Sequence, residues 1–169
     1  MHFAQVAAAF PPVTVFGLPL HPLIVHAVVV LLPLAALGGI VMAAWPKFSR
    51  RFGPVVVLLA WAGVAGAVAA SHTGEQLQAA LGMQIGNHAS FGREVKYAAF
   101  AFAALLSGLY FLDWRAGRGG KGKKRTALEW VLAVLTIGAA LFAIYLTVQA
   151  GHTGAKLVWT TIGKYISSK

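Results

Sequence analysis

The chain has 169 residues, of which 59% are hydrophobic and only 11% charged, with a mean hydropathy of +0.74. A soluble domain carries about 25% charged residues, so there is too little polar surface here to cover a water-facing globule, and the composition points to an integral membrane protein. A net charge of +10 raises nucleic acid as a partner, which the placement of the basic residues argues against, and the absence of cysteine excludes disulfides, thiolate metal sites and thiol catalysis.

Residues 1–19 read as a leader. Its stretch MHFAQVAAAFPPVTVFG lacks the basic n-region of a cleavable signal peptide. A membrane span needs about 20 apolar residues, and the first such run extends from Leu20 to Trp45. Pro22 falls in its first turn, where proline is tolerated, and Pro33 lies inside it, where a kink is expected. Lys47, Arg50 and Arg51 follow. A second span runs from Pro54, also placed in a first turn, to about Ala70, and leads into SHTGEQL at residues 71–77. Residues 74–84 are expected to form a short surface helix with Leu77, Ala80 and Leu81 on its apolar face.

The third span covers Val95 to Trp114. After it comes a basic, glycine-rich stretch with Arg115, Arg118, Lys121, Lys123, Lys124 and Arg125. The fourth span covers Leu128 to about Ala150 and leads into GHTGAKL at residues 151–157. Residues 151–169 then read as an interfacial tail anchored by Trp159 and Tyr165. The expected architecture is an all-α, four-helix transmembrane bundle over residues 20–150.

The two basic loops hold nine of the fourteen Lys and Arg residues, which places them on the cytoplasmic side and both termini outside. The longer run has no interleaved aromatics, so it reads as a topology signal and anionic-lipid contact, not a nucleic-acid surface. Small residues recur every four positions along the spans (Ala35, Gly39 and Ala43; Ala62, Gly66 and Ala70), as close helix contact in lipid requires. The repeated His-Thr-Gly suggests two duplicated hairpins related by an axis along the membrane normal.

His2 lies in the leader. The other five histidines, His21, His26, His72, His88 and His152, all fall near the outer face. Each has an ordinary structural reading. Gly74 and Gly154 can be helix C-caps, and a histidine near a helix C-terminus suits the dipole. His21 precedes Pro22, and His88 stands before Ser90, a plausible N-cap. His26, one turn inside an apolar helix, is the costliest to place without a function. Together the five form a ligand set for haem iron or for copper, zinc or iron, and Glu75 can be a further ligand or can orient an imidazole. Glu94 is expected to pair with a basic neighbour.

The stretch GLPLHPLIVHAVVVLLPLAAL, residues 17–37, resembles the opening of a bacterial membrane family catalogued as domain of unknown function 2231. Leu20, His21, Pro22, Leu23, Val25 and His26 carry the likeness, although Ala27 and Val28 stand where that family often has Phe-Pro. His72-Thr73-Gly74, His88 and the exit from Gly151 to Val158 extend it over most of the chain. The resemblance implies a four-helix protein of the bacterial inner membrane, associated with redox chemistry but with no settled activity.

Three functions follow. The first is bis-His ligation of a b-type haem by His26 with His88 or by His72 with His152. Electrons would then pass to or from a quinol or an external (periplasmic) redox protein, because no ligand set exists at the cytoplasmic end. The second is a copper, zinc or iron site built from His26, His72, His88, His152 and Glu75, although no known metal motif is present. The third is a cofactor-free accessory or assembly subunit, alone, as a homo-oligomer or in a larger membrane complex. A stand-alone enzyme is less consistent with the sequence, since there is no Ser/His/Asp set and Asp113 sits at the cytoplasmic end.

Overall fold

The computed structural model describes residues 14–82, 86–118 and 124–167, with side chains as far as residue 160. Most of the expected leader, residues 1–13, lies outside them. Its last residues form a small hairpin: β1, Thr14–Val15, pairs antiparallel with β2, Leu18–Pro19. Phe16 and Gly17 make the turn at φ of 51° and 77°. Positive φ at both central positions matches the twist of the flanking strands.

Four helices follow: α1, Leu20–Ala44; α2, Pro46–Leu81; α3, Gly86–Arg118; and α4, Ala127–Ser167. All four are long and apolar enough to cross a membrane. The 36 residues of α2 rise about 54 Å at 1.5 Å per residue. That exceeds a hydrocarbon core of about 30 Å; α2, α3 and α4 extend beyond the apolar runs seen in the sequence, whereas α1 matches its run.

This length changes four expectations. Pro54 is not in a first turn but well inside α2, and Pro46 takes the starting position instead. Both His-Thr-Gly motifs lie inside helices and do not end them. The segment from Gly74 is the last part of α2, which stops at Leu81 with Gly82 as its left-handed cap at φ 62°. Residues 83–85 are outside the described set. Likewise residues 151–167 continue α4 without a break. The reason is local: from Ser71 to Ala80 there is no proline and one glycine, and Glu, Gln, Leu and Ala are good helix formers.

The helices pack in a ring, α1 on α2, α2 on α3, α3 on α4 and α4 on α1, with α1 and α3 touching only lightly across the diagonal. Leu34, Leu58, Phe100, Val134 and Leu141 are exposed around the outside, as befits a bundle solvated by lipid. The inside shows the two hairpins to be structural repeats. Buried positions 28, 32, 35, 36, 39 and 42 on α1 recur 67 residues later (21 to 88) on α3, as Val95, Ala99, Phe102, Ala103, Leu106 and Leu109. Buried positions 49, 53, 56, 60, 63 and 67 on α2 recur 80 residues later (70 to 150) on α4, as Glu129, Ala133, Thr136, Ala140, Ala143 and Thr147. Two hairpins with one burial pattern therefore build the bundle.

The end bearing the basic loops is closed by Arg125. Its guanidinium holds Asp113 bidentately, with Nε 3.0 Å from Oδ1 and Nη2 2.7 Å from Oδ2. It also donates to the carbonyls of Met42 and Ala43 at the end of α1. Thr126 and Glu129 then start α4 as a reciprocal cap: Glu129 accepts from the Thr126 backbone N–H, and Thr126 Oγ1 accepts from the Glu129 N–H.

Candidate functional site at the histidine end

At the opposite end a cavity of about 380 Å³ lies between all four helices. His21 and His88 line it, their ring centroids 6.1 Å apart and their planes at 78°. They are equivalent residues of the two hairpins, each near the start of its helix. His21 Nδ1 is 2.9 Å from the carbonyl oxygen of Ala70, and His88 Nδ1 is 3.0 Å from that of Ala150. A carbonyl can only accept, so each Nδ1 carries a proton, and in the neutral form of either ring the lone pair is on Nε2. The same arrangement fixes the tautomer of metal-bound histidines, whose second ring nitrogen donates to a carbonyl or carboxylate.

The repeated motif explains how the rings are seated. A Cβ on Gly74 would lie 2.9 Å from His21 Cε1, and a Cβ on Gly154 would lie 2.9 Å from His88 Cε1. Glycine is there because an imidazole from the partner helix occupies the space of a side chain. Thr73 Oγ1 donates to the carbonyls of Ala69 and Ala70, and Thr153 Oγ1 to those of Gln149 and Ala150. Ala70 and Ala150 thus each receive a threonine hydroxyl and a histidine N–H. His-Thr-Gly is a docking seat for a histidine on another helix, not a helix terminator.

The histidine inside the motif faces away. His72 and His152 are exposed, and so is His26, whose Nδ1 is 2.6 Å from the Pro22 carbonyl of its own helix. The structure therefore pairs His21 with His88, and neither expected pairing, His26 with His88 or His72 with His152, places both rings in the cavity. Helix geometry gives the reason. His26 is five residues beyond His21, about 140° round the helix, and His72 and His152 each stand two residues, about 200°, beyond Ala70 and Ala150. Among the described residues no three His, Cys, Asp or Glu side chains gather as a metal-holding group.

The remaining lining is apolar on one side and polar on the other. Val25, Val28 and Val29 come from α1, while Ser71, Glu75 and Gln78 come from α2 and Arg93 and Lys96 from α3. Glu75 reaches the cavity rim but is exposed. Glu94 is exposed and makes no ion pair; the one ion pair among the described residues is Asp113–Arg125. That buried pair was not anticipated, although an Asp just inside an apolar run with an Arg across a short loop was its visible signal.

No curated protein and no solved structure matches this sequence. The family described as predicted membrane protein DUF2231 matches residues 17–164, from the turn before His21 to beyond Gly154. With four helices of crossing length and a match over nearly its whole length, the chain is a multi-pass membrane protein and belongs to the DUF2231 family.

Proposed function

We propose that the protein binds a b-type haem between His21 and His88 and passes electrons to or from a quinol or an external redox protein. The observation that carries this reading is the histidine pair itself. With metal–nitrogen bonds of about 2.0 Å, two imidazoles on opposite sides of one ion have centroids about 6 Å apart, and these stand at 6.1 Å. Both Nδ1 protons are already committed to carbonyls, so the unprotonated Nε2 atoms are the donors that iron requires. A cavity of about 380 Å³ falls at the small end of cofactor sites, roughly 300–1,000 Å³.

The number of donors favours haem over a bare ion. Structural zinc takes four protein ligands and catalytic zinc three, whereas a porphyrin brings four nitrogens of its own and needs two from the protein. A copper, zinc or iron site of the kind considered above would have to recruit Glu75 from the rim. The haem would sit at one end only, consistent with exchange on one side of the membrane. The excess of Lys and Arg in the loops at the other end supports an outer-face position for the site in a bacterial inner membrane, with both termini outside.

An absorbance spectrum of the purified protein, oxidised and reduced, tests this. The expected result is a Soret peak with reducible visible bands. His21→Ala and His88→Ala each remove most of it, while His26→Ala, His72→Ala and His152→Ala leave it intact. A colourless protein with stoichiometric metal would favour the bare ion. One with neither would return the histidines to helix packing in an accessory subunit.

A further inference from the structure

Resting on the haem reading, we infer that the cavity fixes which edge of the porphyrin points where: the propionates lie at the seam between α2 and α3, held by Arg93 and Lys96. The two hairpins are equivalent in their histidines, seats and buried positions, but this equivalence fails in the charges around the cavity. Lys96 on α3 corresponds to Val29 on α1, and Glu75 on α2 corresponds to Ala155 on α4. Every charged side chain lining the cavity, Glu75, Arg93 and Lys96, comes from α2 or α3. The α1 wall offers only Val25, Val28 and Val29 beside its histidine.

Haem b has the matching division. One edge carries two carboxylates, and the other carries only methyl and vinyl groups. Burying the carboxylates against valines would leave charge unpaired in an apolar environment. At the α2–α3 seam they meet two cations against one carboxylate, Glu75. Among the described residues neither Arg93 nor Lys96 is held in an ion pair; Lys96 Nζ lies 5.3 Å from the centre of the Tyr97 ring, a weak contact that a carboxylate can displace. Lys96 is half-buried, while Arg93 is exposed. The pseudo-twofold pair of histidines alone would accept the porphyrin in either of two flipped orientations. The charges select one.

The test compares haem with its dimethyl ester, which has the same ring and iron but no free carboxylates, on the full-length protein. Wild type is expected to bind haem about three- to tenfold more tightly than the ester, as two partly exposed charge pairs allow. Arg93→Gln with Lys96→Gln should abolish that preference while leaving ester affinity and the bis-His spectrum unchanged. Equal affinity of wild type for the two porphyrins, or a preference that survives in the double variant, overturns the edge assignment and leaves the haem reading standing. Binding of neither porphyrin by wild type overturns both.

Discussion

Arg125 satisfies at once a carboxylate on α3 and two carbonyls that α1 leaves without intrahelical partners. Asp113 and Arg125 are only 2% and 4% exposed. Removing one member of such a pair strands a buried charge, at a cost of about 3–5 kcal/mol, whereas replacing both with apolar groups costs much less. Asp113→Asn should therefore lower the thermal midpoint in detergent strongly, and Asp113→Leu with Arg125→Met should be less destabilised than Asp113→Asn. A double variant at least as unstable as the single one would show that the bonds Arg125 makes to Asp113 and to the α1 carbonyls, and not the stranded charge, dominate. At this scale the sequence shows five histidines gathered near one end but not which of them line the cavity, which are His21 and His88. Position in a helix is legible; the angle at which a side chain leaves it is legible only once a neighbour fixes the inward face. His26 sits at a costly depth, yet it is turned about 140° from His21 and bonds back to its own helix.

The helices were legible as spans because hydropathy needs no partner to be read. Their ends were not, because the residues that looked like terminators serve contacts made at long range. Gly74 reads locally as a cap, but the reason for it is the imidazole of His21, far earlier in the chain. Other glycines divide the same way. A Cβ on Gly39 would sit 2.8 Å from the ring of the buried Phe102, while one on Gly108 would meet nothing within 4 Å. Gly39→Ala is expected to destabilise by about 1–3 kcal/mol through overpacking. Gly108→Ala should stabilise by about 0.5–1 kcal/mol by reducing backbone freedom in a helix interior. Thermal or denaturant unfolding of the two variants, measured side by side, checks the opposite signs.

Over the whole molecule, the match in buried positions makes the two hairpins structural repeats, a conclusion the sequence supported with only one short shared motif. Residues far apart in sequence, such as Gly53 and Ala133 or Val56 and Thr136, share a buried position without sharing a type. Alignment by identity sees little of this, and packing sees nearly all of it. The repeats predict a simple topology: the hairpin turn at Phe16 and the loop at Lys124 lie on opposite sides of the membrane. The chain has no cysteine of its own, so Phe16→Cys and Lys124→Cys each give a single label site. In intact spheroplasts an impermeant thiol reagent should modify the first and not the second; the reverse labelling would invert the assignment of the outer face.

The guanidinium that closes the bundle lies 82 residues downstream of Ala43, whose carbonyl it binds. Synthesis runs from the N-terminus, so the first hairpin leaves the ribosome before Arg125 exists. The carbonyls of Met42 and Ala43 must then be served by water or lipid headgroups until the second hairpin is made, and locking the bundle is deferred to late in translation. A chain cut short before residue 125 would retain its opening spans but not the latch that fastens them, leaving an open-ended fragment for membrane quality control to recognise.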